Sequence, residues 1–119
     1  MGQERITAAE YREMMSRTPG NKYRNVRTEV DRITFDSRAE ANRYCELKML
    51  QKAGAIKGFN RQPSFVFDGG IRYRPDFIVC GADGVIWVED VKGLQTKEFK
   101  LKQRLWGKAY PWLELRIIK

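Results

Sequence analysis

Residues 71–92 read IRYRPDFIVCGADGVIWVEDVK, a sequence typical of a β-hairpin. Two apolar runs rich in β-branched residues are joined by ADG at 82–84, which has the composition of a three-residue hairpin loop. With the loop glycine in the left-handed conformation, the two strands pair in a register that places Asp76 directly opposite Asp90. The hairpin therefore brings two carboxylates together across neighbouring strands.

The segments around this hairpin predict a mixed α/β (α+β) fold. Ser37 and Glu40 have the spacing of a capping box at the start of a helix, and Gly54 is a suitable helix stop. The predicted core is a helix over 39–51, strands over 64–67, 71–80 and 85–91, a helix over 96–109 and a strand over 112–118. Because the second helix is a crossover, the last strand should lie parallel to the third within a mixed central sheet flanked by helices, an αβββαβ order.

The length of 119 residues predicts a single domain, 1–119, because a chain of this size supports one core. We divide it into an N-terminal extension, 1–35, and the αβββαβ core, 36–119. The extension is predicted to contain a short helix over 8–17 and a strand over 28–35.

The net charge of +8 and the absence of histidine restrict the function. An excess of cations favours a polyanionic partner, nucleic acid first, and the lack of imidazole excludes Ser-His-Asp hydrolysis and His-ligated zinc. The excess is concentrated near the C-terminus, where residues 92–119 carry 8 basic and 2 acidic side chains. Any chemistry must therefore come from carboxylates, Lys, Arg, Tyr or Cys.

The cysteine pattern and the N-terminus predict an intracellular, cytoplasmic protein without a membrane segment. Cys45 and Cys80 lie in separate apolar segments, a spacing that suits neither a zinc site nor a disulfide framework. The charged N-terminus is unlike a signal peptide, and no apolar run approaches the length needed to cross a bilayer.

The opposed carboxylates favour a divalent metal. Asp76 and Asp90 would repel each other unless a cation or a shared proton lies between them, and Mg²⁺ uses one or two carboxylates together with waters and substrate phosphates. Alternation along the strand places Lys92 on the face of Asp90 and turns Glu89 to the opposite face, as a surface or outer-shell charge. The alternative is that Asp90 and Lys92 form an exposed ion pair while Asp76 only begins a strand.

These motifs also carry a family resemblance. Pro75-Asp76, followed by Asp90-Val91-Lys92, resembles the PD-(D/E)xK signature of the restriction-endonuclease-like superfamily, whose core is αβββαβ. Over about residues 7–119 the chain also resembles a small phage-borne family regarded as similar to phage endonuclease I, a Holliday-junction resolvase. The motifs that carry this second resemblance are FDSxxE at 35–40 with Tyr44, YxPDF at 73–77, and DVKG at 90–93 before a basic helix.

The resemblance implies a DNA endonuclease dependent on Mg²⁺ or Mn²⁺, selective for branched or junction DNA and able to form a homodimer. It implies that Asp76, Asp90 and Glu40 ligate the metal and that Lys92 positions the attacking water or stabilises charge on the phosphate. Glu40 has a second interpretation, as the capping-box partner of Ser37.

The second predicted helix is cationic on one face. Lys97, Lys100, Arg104 and Lys108 form a stripe at helical spacing, which we predict to bind nucleic acid, although a solvated helix face is the alternative. Lys102 falls outside this stripe, where it can snorkel or reach the carboxylates. Three tryptophans are predicted to pack in the core: Trp87, Trp106 and Trp112. The rival to a nuclease is a non-catalytic basic module that binds nucleic acid.

Overall fold

The computed structural model describes residues 5–6, 8, 26–92 and 95–119. The chain divides into two compact units, Met1–Ala53 and Gly54–Lys119. Apart from residue 8, the predicted helix over 8–17 lies outside the described residues, and the single-domain organisation stays a prediction. In the described part of the chain, no helix is long and apolar enough to cross a membrane.

The described residues of the N-terminal unit include a small sheet and a long helix. The strands β1 (Arg5–Ile6), β2 (Thr28–Val30) and β3 (Ile33–Phe35) form the sheet, with β1 parallel to β2 and β2 antiparallel to β3. The single strand predicted over 28–35 is therefore wrong. The backbone of Asp31 and Arg32 takes positive φ angles of 51° and 64°, which turns the chain back on itself and makes a hairpin.

The predicted first helix is confirmed as α1 (Arg38–Lys52). Ser37 caps it, because its side-chain oxygen accepts a hydrogen bond from the Glu40 backbone N–H at 3.2 Å. Within this unit the Tyr44 ring lies 5.1 Å from the Phe35 ring. The buried face of α1 consists of Ala41, Tyr44, Cys45 and Leu47.

Over 54–92 and 95–119, the C-terminal unit contains a four-stranded mixed sheet, a two-stranded ribbon and one helix. The order of strands in the sheet is β4-β7-β8-β9, and the ribbon pairs β5 with β6. These elements are β4 (Ile56–Arg61), β5 (Phe65–Val66), β6 (Arg72–Tyr73), β7 (Phe77–Gly81), β8 (Ile86–Val91), α2 (Lys97–Ala109) and β9 (Glu114–Ile118). The chain is thus mixed α+β, as predicted.

The central hairpin has the predicted register. Phe77 pairs with Glu89 and Cys80 pairs with Ile86. Asp76 lies just outside β7, where its N–H donates to the Glu89 carbonyl, so its direct pairing with Asp90 stays a prediction. The crossover through α2 makes β9 parallel to β8, also as predicted. Gly84 has a φ of 88°, so the loop requires its lack of a Cβ atom.

The first strand of the sheet was predicted in the wrong place. Ile56–Arg61 fills that position as β4, antiparallel to β7, whereas the predicted strand over 64–67 contributes only to the ribbon. Gly58 and the polar residues around it obscure the alternation of β4. The strand predicted over 71–80 is divided at Arg74 and buried Pro75, because proline has no N–H to donate to a sheet.

An aromatic cluster joins the ribbon to α2 and the sheet. Trp106 is buried and lies 4.7 Å from the Phe65 ring and 6.0 Å from the Tyr73 ring, measured between centroids. Its indole N–H donates to the Leu113 carbonyl at 2.7 Å. Packing of Trp106 is therefore confirmed, and Trp87 is half-buried with the Arg116 guanidinium 3.9 Å from its ring centroid. Trp112 was wrongly assigned to the core, since it is 74% exposed.

Candidate functional site

Asp76 is fixed beside β8 by hydrogen bonds from both its backbone and its side chain. Its N–H donates to the Glu89 carbonyl at 3.0 Å, and its Oδ2 accepts from the Val91 N–H at 2.6 Å. The Gln62 N–H donates to the Asp76 carbonyl at 2.9 Å on the other side. Asp76 is therefore held, through its backbone and its carboxylate, by the residues on either side of Asp90.

Asp90 is buried, with both carboxylate oxygens close to polar groups. The Tyr73 hydroxyl donates to Oδ2, and the Lys92 ammonium lies 3.6 Å from Oδ1. The Asp90 side chain is only 4% exposed, so its pair with Lys92 is buried at the acidic end and differs from the exposed ion pair of the alternative interpretation.

Tyr73 acts as a permanent hydrogen-bond donor to this carboxylate. Burial raises the pKa of Tyr73, and the hydrogen bond to Asp90 and the charges of Asp90 and Asp76 raise this pKa further. The phenol therefore stays protonated and keeps donating across the physiological pH range. Its ring stacks on Phe67, with centroids 6.1 Å apart, which limits its rotation.

Lys92 sits where β8 ends and points an accessible ammonium at the carboxylates. Its backbone N–H donates to the Ile118 carbonyl of β9 at 2.9 Å, and its ammonium lies 5.3 Å from the centroid of the Phe99 ring. The side chain remains 38% exposed. A lysine that is fixed at its backbone and keeps a partly exposed ammonium can donate to a bound phosphate without leaving the site.

Asp76, Asp90 and Lys92 share a cleft of about 490 Å³ in the C-terminal unit. Cationic side chains from both sides join them there, namely Arg72 and Arg74 from the ribbon segment and Lys102 from α2. Lys102 therefore reaches the cleft, with its ammonium 5.6 Å from the centroid of the Tyr73 ring and 3.9 Å from Glu98. The remaining lining residues are Ser64, Tyr73, Thr96, Glu98 and Phe99.

Sequence reasoning did not single out Arg72 and Arg74 as site residues. They flank Tyr73 in the chain and are exposed while Tyr73 is buried. The repeated basic residue in RYRPD was the available signal, but its meaning depends on the ribbon, which was predicted as part of a longer strand.

Glu89 differs from its predicted surface position. It is fully buried and accepts a hydrogen bond from the Trp87 indole N–H at 2.9 Å. Alternation along β8 correctly assigned Glu89 and Trp87 to the face opposite Asp90. The error lies in the exposure of that face, which sequence periodicity alone does not report.

The cationic stripe on α2 is exposed but does not line the cleft. Lys97, Lys100 and Arg104 line a separate, open depression together with Gln103. Lys108 is exposed in the last turn of the helix. On α2, the stripe therefore faces solvent while Lys102 faces the carboxylates.

The donor set of the cleft suits a hard divalent cation. In the described ranges there is no group of three or more His, Cys, Asp or Glu side chains arranged to hold a metal. Two carboxylates are nevertheless sufficient for Mg²⁺, which keeps several waters and takes further oxygen ligands from phosphate. Glu40 lies in the first turn of α1 in the N-terminal unit, and its assignment as a third ligand stays a prediction.

Comparison with known families identifies the chain. The profile of the family described as "Protein of unknown function (DUF1064)" matches residues 20–119. The chain belongs to the DUF1064 family. All residues of the cleft fall inside the DUF1064 match. No curated protein and no solved structure matches the chain.

Proposed function

We propose that this DUF1064 chain is a metal-dependent endonuclease that hydrolyses DNA phosphodiester bonds. The observation that supports it most is the convergence of Asp76, Asp90 and Lys92 in one cleft with cationic walls. The resemblance to the PD-(D/E)xK superfamily assigns catalytic roles to the same three residues. By that resemblance, the substrate is branched or junction DNA in phage or prophage DNA metabolism inside the host cell.

Each group of the cleft has a role in this proposal. Asp76 and Asp90 hold Mg²⁺ or Mn²⁺, which when bound polarises the phosphate and lowers the pKa of a coordinated water. Lys92 donates to a phosphate oxygen and offsets charge that develops there. Arg72, Arg74 and Lys102 contact the phosphates on either side of the scissile bond, a contact without sequence preference.

Calorimetric titration of the protein with Mg²⁺ and Mn²⁺ tests the metal site directly. The proposal expects saturable binding that is lost in Asp76→Asn and Asp90→Asn variants. A wild-type protein that binds neither metal, alone or with a non-cleavable DNA present, contradicts it.

The Tyr73→Phe variant tests whether the phenol positions Asp90 for the metal. Groups that orient a ligand by hydrogen bonding typically contribute about 10- to 100-fold to metal affinity, so we expect the affinity for Mn²⁺ to fall by about tenfold or more. Phenylalanine keeps the ring and its packing on Phe67 and Trp106. Calorimetry measures the affinity, and thermal unfolding verifies the fold.

Tyr110→Phe is the matched control for this variant. Tyr110 belongs to the same aromatic cluster, and its hydroxyl donates to the Val66 carbonyl at 2.8 Å rather than to a carboxylate. The Tyr110→Phe variant should bind Mn²⁺ with the affinity of the wild type. Equal affinities in both variants would show that Tyr73 has only a packing role.

The second candidate function is a module that binds nucleic acid without cutting it. The exposed stripe of α2 favours it, because Lys97, Lys100 and Arg104 line a depression separate from the cleft and need no metal to bind phosphate. This alternative predicts salt-dependent binding with no turnover, and it treats Asp76 and Asp90 as scaffold.

Neutralising the stripe should weaken DNA binding under either function. Each lost phosphate contact makes the negative slope of log affinity against log salt shallower by about 0.9. The triple variant should therefore have a slope that is shallower by the equivalent of one to three phosphate contacts. Fluorescence anisotropy at several salt concentrations measures this slope. The substitutions are Lys97→Gln, Lys100→Gln and Arg104→Gln.

A second triple variant serves as the charge-matched control. It removes three exposed lysines that line neither the cleft nor the α2 depression: Lys52, Lys57 and Lys119. Its salt slope should stay closer to that of the wild type. Identical slopes for the two triple variants would mean that only the net charge matters and that the stripe is a solvated helix face.

A further inference from the structure

Trp112 is an exposed aromatic side chain that does not line the cleft. At 74% it is the most exposed large apolar side chain in the described ranges. It lies in the turn between α2 and β9, directly after Pro111. Single exposed apolar side chains are common on protein surfaces, so a binding role for Trp112 has to be argued from how it is held and from the charge of its segment.

The turn that carries Trp112 is held firmly on both sides. The Tyr110 N–H donates to the Trp106 carbonyl at 2.7 Å, and the Leu113 N–H donates to the Tyr110 carbonyl at 3.1 Å. The Trp106 indole in turn donates to the Leu113 carbonyl. The Trp112 ring itself packs against the Tyr110 ring in a T-shaped arrangement, with centroids 5.9 Å apart and planes at 81°.

This anchoring lowers the cost of binding through Trp112. A side chain that is already oriented loses little conformational freedom when a flat partner stacks on it. Since 74% of the Trp112 side chain is exposed, most of the indole surface is open to a stacking partner. The geometry is that of a preset platform for a planar group.

The charge of the C-terminal segment indicates the chemistry of the partner. Residues 92–119 carry 8 basic and 2 acidic side chains, and Lys108 is exposed four positions before Trp112. A partner that combines negative charge with planar apolar faces is a nucleic acid with accessible bases. A duplex end or a paired base offers such a face poorly, whereas an unpaired nucleotide offers it on both sides.

A chain of ring contacts connects Trp112 with the cleft. Tyr110 contacts Trp106 at 5.0 Å between centroids, and Trp106 contacts Tyr73, whose hydroxyl donates to Asp90. Trp112 and the carboxylates therefore belong to one packed body within the C-terminal unit. A nucleotide stacked on Trp112 would therefore be attached to the same body that carries the cleft.

We propose that Trp112 is a base-stacking site for an unpaired nucleotide of the DNA that the cleft contacts. The site rests on the proposed function for the identity of the polymer, but it requires neither metal nor cleavage. It also gives a physical source for a preference for branched DNA, because unpaired nucleotides occur where strands separate.

The test measures binding in excess chelator, so that no cutting contributes. A fluorescein-labelled 12-nucleotide single strand and a blunt duplex of the same sequence are titrated with wild type and with Trp112→Ala. Stacking on an aromatic side chain contributes about 1–3 kcal/mol per base, so we expect single-strand affinity to fall by about 5- to 150-fold. Duplex affinity should change less than about twofold.

Two further variants make the result specific. Trp112→Phe keeps an aromatic face and should retain most of the single-strand affinity. Ile86→Ala removes an exposed apolar side chain of β8 and should bind as the wild type does. Sedimentation velocity of wild type and Trp112→Ala tests the other occupant, a second copy of the chain.

The outcomes separate this site from the nuclease. Loss of single-strand affinity in Trp112→Ala supports stacking even if the protein cuts no DNA. Equal losses on single strand and duplex, no loss at all, no wild-type binding to either DNA, or a dimer that dissociates in Trp112→Ala overturns the stacking proposal. If the wild type cuts DNA and Trp112→Ala binds the single strand with wild-type affinity, the stacking proposal is overturned while the nuclease proposal stands.

Discussion

Asp90→Asn should abolish metal-dependent DNA cleavage, with a loss of more than about 100-fold. Residues that merely orient a metal ligand contribute up to about 100-fold, so loss of a charged ligand should exceed that range. Asparagine has the size of aspartate and keeps an oxygen to accept the Tyr73 hydrogen bond, so the fold should persist. The rate of cleavage of a labelled junction in Mg²⁺ or Mn²⁺ measures the effect, and thermal unfolding verifies the fold.

The control for Asp90→Asn is Asp68→Asn. Asp68 is an exposed carboxylate of the turn between β5 and β6, within the same unit but outside the residues that line the cleft. Both variants change the net charge equally, so a general effect of charge on DNA binding would appear in both. Cleavage by Asp90→Asn at the wild-type rate would remove Asp90 from the chemistry.

Lys92→Met should lose cleavage while it keeps metal and DNA binding. Removing one donor that stabilises developing charge typically lowers turnover by about 10²- to 10³-fold, and methionine keeps the apolar stem beside Phe99. Metal affinity should stay equal or rise, because the ammonium lies 3.6 Å from Asp90 and its charge opposes that of a cation. Single-turnover cleavage and Mn²⁺ calorimetry give the two readings.

The different effects on metal binding distinguish the role of Lys92 from that of the carboxylates. Asp90→Asn should lose both metal binding and cleavage, whereas Lys92→Met should lose cleavage alone. Lys57→Met removes an exposed lysine of β4 and should leave both unchanged. If Lys92→Met cuts as well as wild type, the lysine serves only as the ion-pair partner of Asp90.

The sequence predicted the hairpin and its register because the relevant signals are local. The loop at 82–84 contains its own turn chemistry, and a period of two then sets every pair along the strands. The same holds for α1 and α2, whose caps Ser37 and Thr96 accept hydrogen bonds three residues on. These local features bring Asp76 and Asp90 to the same end of the hairpin.

The features that the sequence missed depend on contacts between distant segments. β4 forms because β7 supplies its hydrogen bonds, although Gly58 and neighbouring polar residues weaken its pattern. The hairpin of 28–35 depends on positive φ angles at Asp31 and Arg32. Arginine rarely adopts that conformation, so the turn has no clear sequence signal. The intrinsic propensities of the residues predict neither β4 nor this hairpin.

The sequence predicted only part of the cleft. Alternation and register brought together Asp76, Asp90 and Lys92, but the walls come from elements with no periodic signal. Arg72 and Arg74 enter through the ribbon, and Lys102 enters because α2 buries Phe99 and Trp106 and so turns that flank towards Tyr73. The burial of Glu89 and the exposure of Trp112 likewise follow from tertiary packing rather than from residue type.

Metal-dependent cleavage of DNA by the purified full chain is the central claim, and one panel tests it. Four-way junction, forked, linear duplex and single-stranded DNA are incubated with Mg²⁺ or Mn²⁺ and, in parallel, with excess chelator. We predict cleavage of the branched substrates that requires metal and is absent in Asp90→Asn. Failure to cut any of these DNAs at saturating metal, or cutting that persists in chelator, would contradict the assignment of Asp76, Asp90 and Lys92 as a nuclease site.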